Sequence, residues 1–269
     1  MLIDYYPSNS FIHSLDVRTK ILGFFIVTVT AFVFLSPVIN LLLVLITTLI
    51  LLSMRTPFNK VKQIIKPLLP IFLIMLLITG FTYPAEKFQL DVNKQILFYL
   101  MPDNTLPFST GGIFYGLTLT LRILIMVIAS TIVTFSTPIE DIIQLMQKMK
   151  MPYQLAFVIA TGIRFIPTMQ KKSEMIQEAQ RARGTEFGNK GLIGNIKGYI
   201  PVLIPMIVDS IRMSENLAIA MLNRGFGAYK TATNLHEIKM TKKDYIICFA
   251  ELVVLIAAIW ANTENVGVM

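Results

Sequence analysis

The chain has 269 residues, of which 54% are hydrophobic and only 15% are charged. A soluble domain contains about 45–50% apolar and about 25% charged residues, and the apolar excess here lies in long runs, which indicates a membrane protein. The net charge of +8 is too modest and too dispersed for a nucleic-acid-binding protein.

Cysteine and histidine are scarce, and their placement argues against a disulfide framework or a metal site. The single Cys248 cannot form an internal disulfide, and the two histidines are far apart in sequence, with no clustered Cys or carboxylates. The sequence also has no visible Ser-His-Asp, Cys-His or paired-carboxylate constellation. We therefore expect a non-catalytic protein that binds no metal.

Five apolar runs are predicted to cross the membrane, so the fold class is an all-α polytopic membrane protein. A span needs roughly 20 apolar residues to cross the hydrocarbon core of about 30 Å. Residues 1–136 form the predicted membrane domain with four spans, and residues 243–269 hold the final one and the C-terminus. The predicted spans are 21–35, 38–54, 64–81, 111–135 and 245–261.

The distribution of Lys and Arg predicts the orientation, because these residues are enriched in cytoplasmic loops. Residues 137–244 contain fifteen of the 24 Lys and Arg residues, and the N-terminal flank and the loop after the second span are also basic. We therefore expect the N-terminus and residues 137–242 to be cytoplasmic, and the C-terminus and segment 84–107 to be outside. Residues 88–100 of this outer segment are expected to form either a short strand or a re-entrant helix, and the sequence does not decide between them.

Residues 137–242 are predicted to form a cytoplasmic domain of two long helices. The apolar stretches 151–166 and 200–208 are not predicted to span, because each runs without a break into a charged, amphipathic helix. Such helices lie on a membrane surface or pack on a partner. The apolar faces include Met175, Ile176 and Ala179 on the first helix and Ile211, Ala218 and Met221 on the second.

The two helices end alike, in Arg183-Gly184 and Arg224-Gly225. One interpretation is an ordinary helix stop, because Gly adopts the left-handed C′ conformation and a cation in the last turn suits the helix dipole. The other is a docking function, because a guanidinium is a planar fork of donors that binds carboxylates bidentately. The repetition at two helix ends favours the second interpretation.

At these residues the chain resembles the T component of energy-coupling factor (ECF) transporters, the EcfT/CbiQ family. That family has two Ala-Arg-Gly signatures, which stand here as Ala182-Arg183-Gly184 and, with one departure, Asn223-Arg224-Gly225. The family also tends to have an Asp-Pro-Arg-x-Lys stretch before the first span. Here that stretch is Asp16-Val17-Arg18-Thr19-Lys20, without the proline. The order of features matches along nearly the whole chain.

The resemblance implies a coupling subunit in the plasma membrane of a prokaryote. It would join two ABC-type ATPase subunits to a membrane-embedded substrate-binding S component that takes up a vitamin or a transition-metal ion. The two tripeptides would dock on the ATPases, with Arg183 and Arg224 each entering an acidic groove. The chain itself would bind no cofactor, since ATP and Mg would be bound by the partner ATPases.

The apolar faces defined above, 175–179 and 211–221, would transmit motion to the S component. Methionine suits a surface that re-packs during such motion. Ordinary helix packing explains the same Met residues equally well.

Arg122 lies inside the fourth apolar run, where a charge costs roughly 2.5–3.5 kcal/mol on insertion scales. Three interpretations are consistent with the sequence: Arg122 marks a substrate path, it lies nearer the cytoplasmic side, or it pairs with Glu251 across the bundle. The first would suit a self-sufficient permease that carries its own substrate. A membrane scaffold without transport is also open.

Overall fold

The computed structural model describes residues 10–54, 56, 58–82, 96–99, 107–184, 191–228 and 238–263. Almost all regular structure in these ranges is helical, as the sequence predicts. The helices, in chain order, are α1 (Val17–Val33), α2 (Pro37–Ser53), α3 (Phe58–Ile65), α4 (Leu69–Thr82), α5 (Thr110–Ser136), α6 (Ile139–Lys148), α7 (Tyr153–Ala182), α8 (Gly191–Asn223) and α9 (Lys242–Thr263). Short 3-10 helices cover Phe11–Ser14 and Lys66–Leu68.

The chain divides into two compact units. One consists of residues 146–237, which include α7 and α8, and the other combines the chain before residue 146 with the chain after residue 237. The second unit contains all five apolar runs that the sequence predicts to span.

Helix α5 is the centre of the larger unit, where it packs against α1, α2 and α4, while α9 packs against α1. Its buried residues Leu121, Ile125, Ile128 and Ala129 recur at helical spacing and form the core. Large apolar side chains on α2, α4 and α9 are instead exposed, as expected of surfaces in contact with lipid.

Helices α4 and α5 approach closely because α5 carries Gly112 and Gly116. A Cβ on Gly112 would lie 2.7 Å from the Thr79 carbonyl oxygen, and one on Gly116 would lie 3.2 Å from Leu76 Cα. The four-residue spacing of the two glycines is the small-residue pattern by which membrane helices pack backbone to backbone.

A buried polar cluster joins the start of α1 to the start of α9. The carboxylate of Asp244 accepts hydrogen bonds from the Asp16 and Thr241 backbone amides, at 2.8 and 2.7 Å, and from the Thr241 and Thr19 hydroxyls, at 2.7 and 3.4 Å. Lys20 donates to the carbonyl of Ser136 at the end of α5. The Asp16–Lys20 stretch therefore ties three helices together at one end of this unit.

Three helical stretches in the described ranges are long and apolar enough to cross a membrane: 59–82, 110–136 and 242–263. Helix α2 is apolar but has only 17 residues, and α1 has the same length, which is the lower limit for a span. The prediction of an all-α polytopic membrane protein is confirmed, while the exact number of spans stays a prediction.

Within the outer segment 84–107, residues 88–100 are predicted to hold a short strand or a re-entrant helix. Strands β1 (Ile96–Tyr99) and β2 (Pro107–Ser109) pair antiparallel, with Phe98 opposite Phe108. In the described part of the segment the strand alternative is correct, and residues 84–95 and 100–106 lie outside the described residues.

Candidate functional site

Helices α7 and α8 are long and run antiparallel across each other. Ser210 donates to the sulfur of Met169, and Lys172 forms an ion pair with Asp209, whereas Phe226 contacts Tyr153 at the start of α7. The residue number on one helix therefore falls as the number on the other rises. Both helices continue through the apolar stretch into the charged segment, as the sequence predicts, in spite of the internal prolines at 167, 201 and 205.

The first predicted docking tripeptide forms the end of α7. Arg183 is the C-cap residue, and Gly184 follows it with φ +85°, a conformation that glycine adopts without strain. The Gly184 amide donates to the Arg181 carbonyl at 2.9 Å, which satisfies one of the free carbonyls of the last turn. The ordinary helix stop and an outward-facing Arg183 are thus present together.

The second tripeptide forms the end of α8 in the same way. Gly225 has φ +73°, its amide donates to the Leu222 carbonyl, and the Phe226 amide donates to the Met221 carbonyl. This pair of bonds is the Schellman motif. The departure from Ala to Asn223 leaves the geometry of the cap intact.

Phe226 fixes the end of α8 to the start of α7, a contact that the sequence analysis missed. Its ring centroid lies 5.1 Å from that of Phe157 and 6.1 Å from that of Tyr153. Aromatic pairs at such separations add about 0.5–1.5 kcal/mol beyond their buried area. A Phe directly after the helix-ending Gly was the available signal.

Both predicted docking arginines are exposed, and within the described chain neither guanidinium has a hydrogen bond or an ion pair. They are not brought together. Arg183 lies 11 residues beyond Lys172, and Arg224 lies 15 residues beyond Asp209, or about 16 and 22 Å at 1.5 Å per residue. Because the helices are antiparallel, the two arginines lie on opposite sides of the crossing, each at the end of its own helix.

The six residues predicted to contact a membrane partner remain accessible on α7 and α8. Met175, Ala179, Ile211 and Ala218 are exposed, and Ile176 and Met221 are half-buried. Within residues 146–237, the packing of the two helices on each other does not bury this apolar surface.

Arg122 has partners that none of the three sequence-based alternatives foresaw. Its Nε donates to the Ala31 carbonyl at 3.0 Å, and its Nη2 donates to those of Phe32 and Phe34 at 3.1 and 3.0 Å. These carbonyls belong to the C-terminal turn of α1 and the residue that follows it. Arg122 therefore caps α1 from within α5, and its hydrogen bonds within the described ranges do not include one to Glu251.

Comparisons with known proteins decide the family. A family model described as cobalt transport protein (CbiQ) matches residues 8–235. The chain belongs to the EcfT/CbiQ family. Its similarity to curated EcfT proteins, which are named energy-coupling factor transporter transmembrane proteins, extends over nearly the full length of both chains.

Two such relatives illustrate the match. The EcfT protein of Acidaminococcus fermentans is 30% identical over 248 residues, which cover 89% of this chain and 88% of the relative. That of Bacillus subtilis is 28% identical over 264 residues, which cover 95% of each. Together with the apolar helices, this membership identifies the chain as a membrane component of a transporter.

Proposed function

We propose that this chain is the coupling subunit of an ECF-type importer, which passes ATP-driven motion from two cytoplasmic ATPases to a membrane-embedded S component. The observation that carries the proposal is the pair of exposed arginines at the C-caps of two antiparallel helices. We call the two helix ends that carry Arg183 and Arg224 the tips. The two tips lie at opposite ends of the helix pair and match a pair of ATPase subunits, one tip for each. ATP and Mg bind to those partners, and this chain is non-catalytic.

Rigid presentation of the tips supports the proposal. Gly184 and Gly225 end the helices abruptly, so each arginine is held at a fixed end instead of fraying into a loop. At the second tip, Phe226 also anchors the end of α8 on α7. When the ATPases close, both tips move, and the crossing at Lys172–Asp209 converts this motion into a change in the angle between the helices.

The apolar faces of α7 and α8 provide the surface for the S component. Exposed Met175 and Ile211 can slide and re-pack without breaking directional bonds, which suits a partner that is bound in more than one state. The transported compound, a vitamin or a micronutrient metal ion, is selected by the S component. The proposed location is a prokaryotic plasma membrane, with the N-terminus and residues 137–242 in the cytoplasm and the C-terminus outside.

The permease alternative loses the feature that favoured it. It requires a polar path around Arg122, whereas that guanidinium is held by three backbone carbonyls at the C-terminal end of α1. Reconstitution in vesicles with and without the ATPases separates the two functions. Uptake by this chain alone would establish the permease, and uptake only with the ATPases and the S component supports coupling.

The test of docking is copurification of the ATPases with the Arg183→Ala/Arg224→Ala double variant. Truncating one partner of a buried charge pair costs about 2–5 kcal/mol, so each single variant should weaken the complex about 30-fold or more and the double variant should abolish it. The matched control is Arg164→Ala/Arg212→Ala, which removes one exposed arginine from the same two helices away from their ends. A double variant that retains both ATPases, or a control that loses them equally, would refute the proposal.

A further inference from the structure

A cavity of about 390 Å³ lies among the 3-10 helix Phe11–Ser14 and helices α1, α2, α5 and α9. The described side chains that line it are mostly apolar, such as Phe24 on α1, Ile50 on α2, Val133 on α5 and Ile247 on α9. Its volume exceeds twice the roughly 150 Å³ of an engineered apolar cavity that binds benzene. This space is many times what a single water molecule needs and is large enough for an alkyl chain.

The carboxyl group of Glu251 lies in the wall of this cavity, and its hydrogen-bonding capacity is not used within the described chain. Oε2 is inaccessible and has no hydrogen-bond partner among the described residues. Oε1 lies against Gly23 of α1, where an added Cβ would be 2.6 Å away. Gly23 thus provides the space that the carboxyl group occupies.

Three other polar residues of the wall already have partners. Lys20 donates to the Ser136 carbonyl, Thr47 to the Leu43 carbonyl and Thr19 to Asp244. A buried polar atom without a partner is costly, and each such atom in a folded protein needs an explanation. Among these described wall residues, Glu251 is therefore the group that lacks a donor.

The depth of Glu251 restricts which donor can reach it. It lies nine residues after Lys242, the first residue of α9, or about 14 Å along the helix, in a span of an approximately 30 Å hydrocarbon layer. A donor that reaches this depth through the bilayer has to carry an apolar body that partitions there. The cavity offers that body a matching apolar wall.

We propose that the cavity binds a single-chain amphiphile with an uncharged hydrogen-bond-donating head, such as a long-chain alcohol, whose hydroxyl donates to Glu251 as the carboxyl group turns Oε2 from its enclosed position toward the cavity. The alkyl chain fills the space between α1, α2, α5 and α9. This site is independent of the docking arginines, which lie in residues 146–237, so either proposal can fail without the other.

The test uses tryptophan quenching by 12-bromo-1-dodecanol in nanodiscs that contain the full chain. Trp260 is the only tryptophan in the sequence, so Trp260→Phe/Phe24→Trp places a single reporter in the cavity wall. The parent chain, with its exposed Trp260, measures quenching from the surrounding lipid. The methyl ether of the same alcohol is the matched probe, because it keeps the chain, the bromine and the oxygen and replaces the donor hydrogen with a methyl group.

Saturable quenching of the cavity reporter by the alcohol, beyond that of Trp260, is expected, with the ether bound about five-fold more weakly at equal lipid-phase concentration. Glu251→Leu should remove the difference between the probes. Val133→Phe should abolish saturation, while Val254→Phe, at an exposed position on α9, should not. Circular dichroism checks that each variant is folded. Quenching that never saturates, or equal binding of the ether, would overturn the proposal.

Discussion

The role of Arg122 as a cap for α1 leads to a quantitative prediction. The carbonyls of Ala31 and Phe32 accept side-chain hydrogen bonds from Arg122 alone within the described chain, whereas the Phe34 carbonyl also accepts one from Asn40, at 2.9 Å. In Arg122→Lys the charge stays, so its burial cost largely cancels. A lysine ammonium is a compact donor on a flexible stem and cannot reproduce the planar fork across three carbonyls.

We expect the lysine to donate a hydrogen bond to one of the Ala31 and Phe32 carbonyls and to leave the other without a side-chain donor. An unsatisfied buried acceptor costs about 1–3 kcal/mol, so Arg122→Lys should lower the free energy of unfolding by that amount. The assay is SDS-induced unfolding of the purified full chain, followed by far-UV circular dichroism. A loss below about 0.5 kcal/mol would refute the capping role.

A double-mutant cycle with Asn40→Leu sharpens this test. The Phe34 carbonyl loses its last side-chain donor only when both residues are changed, so the double variant should lose about 1–3 kcal/mol more than the sum of the single variants. Losses that add to within about 0.5 kcal/mol would show that the two side chains do not share this carbonyl.

Three further changes test the remaining parts of the structure. Exchanging the charges in Lys172→Asp/Asp209→Lys should restore the substrate uptake that either single change lowers, and a failure of the exchange would refute a role for the ion pair. Gly225→Ala should weaken ATPase binding about 5- to 30-fold, because the left-handed conformation costs an L-residue about 1–2 kcal/mol. Gly162→Ala, inside α7 with open space around it, is the control and should have no effect on that binding. Asp244→Asn should lower the free energy of unfolding by about 2 kcal/mol in the SDS assay, since an amide NH₂ would face donors, and an unchanged value would contradict the hydrogen-bond assignment.

The sequence predicts the helices well because long apolar runs and Gly-ended amphipathic stretches are local signals. The predicted spans 111–135 and 245–261 lie within α5 and α9, and the helix ends at Arg183 and Arg224 are each correct to within a residue. The predicted span 64–81 lies within the helical stretch 59–82, in which a 3-10 turn at Lys66–Leu68 separates α3 from α4.

Contacts between distant parts of the chain were not predictable in the same way. For Arg122 the sequence offers Glu251 as a partner of opposite charge, but the free carbonyls at the end of a helix carry no residue signature. The packing of Phe226 on Phe157 likewise depends on the antiparallel crossing of α7 and α8, which hydrophobic periodicity does not determine. The functions of the two tips and of the apolar faces stay predictions.

Site-specific photocrosslinking tests the central claim most directly. A photoreactive amino acid at Ala182 or Asn223, next to each docking arginine, is activated in membranes that contain the whole transporter. We predict an adduct with an ATPase subunit from both positions and none from Ser214, an exposed residue in the middle portion of α8. The absence of ATPase adducts at 182 and 223, or equal adducts at 214, would contradict the account.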